Sequence, residues 1–150
     1  MASWTRTVCA AAAVASCFGS LTLAQAPSPV GRWRSFDDKT GQPKSIIEIT
    51  EVNGELQGKV ERVFSPPAPS ANPLCDKCSG DRKNKPVIGM QMLWGMKKDG
   101  DEFAGGRLLE PETGKEVRGK LKLIDGGKKL EVRGFVGVAI AGRTTTWIRE

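Results

Sequence analysis

From Gly31 onward, Gly, Pro and Asn-Gly or Asp-Gly pairs cut the chain about every eight to twelve residues, the spacing of an antiparallel meander. Between these breaks apolar and polar residues alternate, as in strands with one buried face. Gly31–Phe36 predicts a first strand carrying Trp33, and 45–51 a second with Ile47 and Ile49 on one face. Asn53-Gly54 is the strongest local signal, because both residues tolerate the positive φ of a type I′ hairpin turn. Residues 56–61 follow as a third strand, and Ile88, Met90, Met92, Trp94 and Met96 mark one face of a fourth. The segment 102–109, the alternations Val117 to Leu123 and Leu130 to Val138, and Arg143–Arg149 with Trp147 complete a set of about eight strands without a helix. Gly58, Gly105, Gly119 and Gly134 are expected on the inner faces, where glycine marks the coiling of a sheet that closes on itself. The expected fold class is all-β: an up-and-down barrel, with a two-sheet β-sandwich as the alternative.

The residues before this pattern read differently. Arg6 is the only charge before Arg32, an Ala-rich apolar run extends from Val8 to Leu23, and Ala24-Gln25-Ala26 offers the small-x-small pattern of a signal peptidase site. Residues 1–26 are thus expected to be a cleaved signal peptide, leaving a single domain, 27–150, without a transmembrane segment and located in the periplasm. Val14-Ala15-Ser16-Cys17 resembles a lipobox and gives the alternative, a lipoprotein acylated at Cys17. The formal net charge is +6, spread along alternating strand positions, which reads as a solvated surface with a mild preference for anions. Nucleic acid is not expected as a partner, because no aromatic-and-basic motif accompanies the charge.

The chain contains no histidine and no tyrosine. That removes the commonest general base, the usual metal ligand and the ordinary Ser-His or Cys-His nucleophile, so no enzyme, cofactor or metal is expected. Cys9 and Cys17 belong to the signal segment, leaving Cys75 and Cys78 inside a Pro-, Ser- and Asn-rich loop over 65–87. An oxidising compartment favours a small disulfide that stiffens the loop. Two other readings stay open: a thiol-disulfide exchange site tuned by Lys77, Arg82, Lys83 and Lys85, and a zinc site pooling four thiolates in a dimer. Asp37, Asp38, Asp99, Asp101, Glu110 and Glu112 fall in turn-like segments and read as turn formers or solvated charges. The stripe Met90, Met92, Trp94 and Met96 is either core or the wall of an apolar ligand chamber, for which methionine's adaptable shape is suited.

Gly31-Arg32-Trp33, Asp37-Asp38-Lys39-Thr40-Gly41, Cys75-Asp76-Lys77-Cys78-Ser79-Gly80, Leu93-Trp94-Gly95-Met96 and Gly142-Arg143-Thr144-Thr145-Thr146-Trp147 occur in that order. In this ordered set the chain resembles the bacterial exported domain-of-unknown-function family 2147, over essentially all of the segment after the signal. The resemblance implies a lipocalin-like or calycin-like barrel and a periplasmic address, but no activity. It also implies that Trp33, in a Gly-x-Trp on the first strand, plugs one end of the barrel beneath an arginine from near the last strand. Arg149 is the expected cover and Arg143 the alternative.

The expected function is a non-catalytic periplasmic barrel that binds a small apolar or amphiphilic ligand or an envelope component. The alternative is a structural or protein-interaction module of the envelope with a filled core, and a third reading is a redox protein using Cys75 and Cys78. Dense packing behind Met90, Met92 and Trp94 separates the alternative from the first.

Overall fold

The structure, a computed structural model, describes residues 26–64 and 72–150. The signal peptide expected over 1–26, Cys17 within it, and the Pro-rich start of the 65–87 loop lie outside the described residues, apart from Ala26 and 72–87.

Eight antiparallel strands close into a barrel in sequence order: β1 (Gly31–Phe36), β2 (Pro43–Val52), β3 (Glu55–Val63), β4 (Gln91–Asp99), β5 (Glu102–Glu110), β6 (Lys115–Ile124), β7 (Lys129–Phe135) and β8 (Arg143–Arg149). The barrel shuts where β1 meets β8, with Trp33 opposite Arg149 and Arg34 opposite Ile148. Each hairpin forms where turn chemistry asks for it. At the β2–β3 turn Asn53 and Gly54 both take positive φ, 53° and 77°. In the β1–β2 turn the Asp37 carboxylate accepts from the backbone N–H groups of Lys39 and Thr40 at 3.0 and 2.8 Å, an Asx-type cap on the reversal.

The inward side chains form one apolar cluster that includes Trp33, Ile47, Ile49, Leu56, Leu93, Met96, Leu108, Leu121, Leu130, Val132 and Trp147. Burying each large apolar side chain contributes about 1.5–3 kcal/mol, the main force closing the sheet on itself. The outer face carries Arg, Lys and Glu. That is the inverse of an outer-membrane barrel, whose lumen is polar and whose lipid-facing band is apolar. Among the described residues no helix is long and apolar enough to cross a membrane.

Three strand expectations are corrected. The fourth strand begins at Gln91, because residues 87–90 form a turn closed by the Met90 N–H donating to the Val87 carbonyl at 3.0 Å. The seventh ends at Phe135, so Val136 and Val138 leave the sheet for an exposed loop that includes a 3-10 turn at Ala139–Ala141. The inner glycine of β5 is Gly106, not Gly105, which is exposed with φ 80°. Gly95 on β4 also has positive φ, 70°, and each of the two facing strands slips its inward phase by one residue nearby. Leu93 and Met96, three apart, therefore both point into the barrel, a local bulge that strict alternation does not anticipate.

The connections sort by end. The β2–β3, β4–β5 and β6–β7 turns, the entering segment 26–30 and the chain's last residues lie at one end. The β1–β2, β3–β4, β5–β6 and β7–β8 connections lie at the other, which we call the mouth.

Candidate functional site

The end away from the mouth is closed by a plug. The Arg149 guanidinium lies over the Trp33 ring, 4.2 Å from its centre. Arg149 Nε donates to the Gly127 carbonyl at 2.7 Å, Nη1 to Val30 at 3.1 Å and Nη2 to Ser28 at 2.7 Å. Trp33 Nε1 donates to the Pro29 carbonyl at 2.7 Å, so the buried indole is satisfied. Gly31 leaves room for this arrangement: a Cβ there would stand 2.9 Å from Arg149 Nη1. Three carbonyls from two segments meet one planar fork, which ties the entering chain and the β6–β7 turn to the last strand. Arg143 sits at the mouth, where it pairs with Asp38 and reaches Glu110 at 3.9 Å, so it takes no part in the plug.

The four stripe residues do not share one wall. Met96 is in the barrel core, and a Cβ at Gly119 would collide with its Cε. Met90 belongs to a second apolar cluster with Val60, Cys75, Cys78, Val87 and Leu109. Trp94 packs against that second cluster, and Met92 against both. The phase slip at Gly95 is the physical reason: Leu93, not Trp94, occupies the inward position. The barrel interior holds the side chains of the first cluster, and two open depressions lie on the surface. One is bordered by Arg34, Gln42, Pro43 and Phe64, the other by Arg82, Lys85, Ile88 and Met90 among others.

The cysteine segment is a small folded excursion. Leu74 and Pro86 form an antiparallel bridge, the Cys75 N–H donates to Lys85 at 2.8 Å, and the Asn84 N–H donates to Cys75 at 2.9 Å. Cys75 and Cys78 form a disulfide, and both are buried, at 1% and 3% exposure. The disulfide lies against Leu109, with the Cys75 sulfur 3.3 Å from the Pro111 carbonyl oxygen. The β5–β6 turn sits so close that any Cβ at Gly114 would overlap the Lys77 backbone. Both thiols are spent in this bond, so a four-thiolate zinc site would require breaking it. Among the described residues no group of three or more Cys, Asp or Glu side chains is placed to hold a metal ion. The excursion is fastened to the barrel by Arg82, whose guanidinium lies 4.6 Å from the centre of the Trp94 ring and pairs with Glu116.

Polar pairs tie the mouth connections together. Ser35 and Ser45, both buried, share a hydrogen bond of 2.7 Å between their hydroxyls. Lys44 at the start of β2 pairs at 2.8 Å with Glu112 in the β5–β6 turn, on the opposite side of the strand order. With Arg143 reaching Asp38 and Glu110, these pairs draw the mouth connections together.

The titration shifts are local. The Thr40 backbone N–H and hydroxyl hold the Asp37 carboxyl below its ordinary value. Lys122, 2.7 Å away, lowers Asp101 and is itself raised by it, while Glu61 raises Arg32 through a paired hydrogen bond. Each shift stabilises an exposed ion or turn.

Sequence reasoning missed Arg82 as the cover of Trp94, the Ser35–Ser45 pair and the exposed loop after Phe135. Only the last left a readable signal: Val136 to Ala141 contains no polar residue, so the polar half of the β7 alternation is lost after Arg133.

A closed, eight-stranded up-and-down meander with one end plugged by a Trp–Arg stack defines a lipocalin-like barrel. The chain belongs to DUF2147, the family described as "Uncharacterized protein conserved in bacteria", whose model matches residues 31–149. Among solved structures it is similar to HP1028 of Helicobacter pylori, described as belonging to the lipocalin family. The TM-score is 0.67 at 19% identity, covering 81% of this chain and 82% of that one. No curated protein matches the chain.

Proposed function

We propose that this protein is a non-catalytic interaction module of the bacterial cell envelope, a filled barrel that meets its partner with its outer surface and not with an internal chamber. One observation carries the reading: Met96 fills the space opened by the missing side chain of Gly119, in the same interior as Trp33, Leu121 and Leu130. An internal ligand would have to displace these side chains, and close-packed interiors resist such displacement. The buried disulfide supports a structural role for Cys75 and Cys78, since an attacking thiolate must reach a sulfur that the 72–90 excursion covers. The envelope address rests on the signal-like segment 1–26.

A second reading, a small apolar ligand held inside, is favoured by the likeness of fold to a lipocalin-family protein. Native mass spectrometry of the protein purified from its own envelope separates the two. The filled-barrel reading expects the mass of the polypeptide alone; a co-purifying small molecule that survives desalting overturns it.

A further inference from the structure

One stretch of the outer wall carries charge without an ion-pair partner among the described residues. Arg107 on β5 lies directly opposite Arg118 on β6, and both are exposed. Like charges opposite one another weaken a sheet. Among the described residues neither arginine forms an ion pair. By contrast Lys120 and Lys122, further along β6, pair with Glu102 and Asp101 at 3.0 and 2.7 Å. The two arginines sit between aromatic residues in continuous register: Trp94 is opposite Arg107, and Phe135 is opposite Arg118.

Immediately after Phe135 the chain leaves the sheet with its aliphatic side chains in solvent. Val136 is 76% exposed, Val138 69% and Ile140 91%. The loop backbone is tied to the sheet while these side chains stay exposed: Arg133 Nη2 donates to the Ile140 carbonyl at 3.1 Å, and Nη1 donates to the Thr144 hydroxyl at 2.7 Å. Three protruding aliphatic residues next to these two arginines and two aromatic residues combine the two terms of interfacial binding. Apolar side chains enter the acyl boundary, while cations face lipid phosphates. A soluble anion would leave the aliphatic residues unused, and a purely apolar partner would leave the arginines desolvated and unpaired.

We propose that the protein docks on an anionic phospholipid bilayer through this corner, with Val138 and Ile140 in the acyl boundary and Arg107 and Arg118 on lipid phosphates. The inference rests on the reading of an envelope module that works through its outer surface. An interior ligand would defeat that reading without altering vesicle binding, and failure on vesicles leaves the filled interior untouched.

The test is co-sedimentation of the exported, purified protein with vesicles of phosphatidylcholine alone and of phosphatidylcholine mixed with phosphatidylglycerol. Binding is expected on the mixed vesicles, weak on the neutral ones, and reduced by added salt. Arg107→Gln with Arg118→Gln lowers partitioning by about fivefold for each arginine. Val138→Asp with Ile140→Asp lowers it by about tenfold or more. All four residues are exposed, and unchanged thermal unfolding of the variants verifies that the fold persists. Equal binding to both vesicle types, no binding to either, or a variant pair that binds like the parent overturns the proposal.

Discussion

Arg149 covers Trp33 from the far end of the chain, its guanidinium 4.2 Å from the ring centre and bonded to three backbone carbonyls. A lysine keeps the positive charge but not the planar fork, so it cannot stack on the indole and serve Ser28, Val30 and Gly127 together. Arg149→Lys is expected to lower stability by about 1–3 kcal/mol, read from urea denaturation. A change within about 0.5 kcal/mol, the range of an ordinary surface substitution, would show that the plug does not hold the barrel end.

The contact of Met96 with Gly119 makes opposite substitutions both harmful. Gly119→Val forces a branched side chain against Met96 and Leu108, an overpacking expected to cost about 1–3 kcal/mol. Met96→Ala removes the filler and leaves a cavity, at about 2–5 kcal/mol. Thermal unfolding followed by circular dichroism measures both. Stabilisation by Gly119→Val would mean that the interior has unused room.

The disulfide is expected to behave as a staple. Replacing Cys75 and Cys78 by serine releases a short loop and lowers stability by about 2 kcal/mol, most of it through the unfolded state. Thiol titration of the native protein under mild reductant should find no free thiols, with both appearing once urea opens the fold. Rapid reduction of the folded protein would revive the redox reading.

Asp37 gives the turn before β2 a pH dependence. Its folded-state value is lowered by the Thr40 and Lys39 hydrogen bonds, so its contribution is present above its unfolded value, near pH 4, and is lost as pH falls through the lower folded one. Asp37→Asn should therefore be less stable than the parent at neutral pH, with the gap closing below about pH 4. A gap that stays constant down to pH 2 would assign the effect to something other than ionisation.

Most of the fold was legible because its determinants are local. Asn53-Gly54 and the Asp37 turn act within a few residues, and the alternation of Val117 to Leu123 reads directly as β6. The plug joins residues more than a hundred positions apart, and only the family resemblance pointed to it. The stripe failed for a reason that alternation cannot carry: positive φ at Gly95 and Gly105 moves the inward phase, so Trp94 turned out to lie under Arg82 and not in the barrel. Arg82–Trp94, Lys44–Glu112 and Arg143–Asp38 are long-range pairs between exposed or half-exposed groups, and such partners leave no mark on sequence spacing.

The filled interior is tested most directly by titrating the protein with a fluorescent fatty-acid analogue while following the emission of the buried Trp33 and Trp147. A filled barrel gives no saturable quenching at concentrations up to tens of micromolar, roughly the weak end of such sites. Saturable quenching with one equivalent bound per barrel would contradict it.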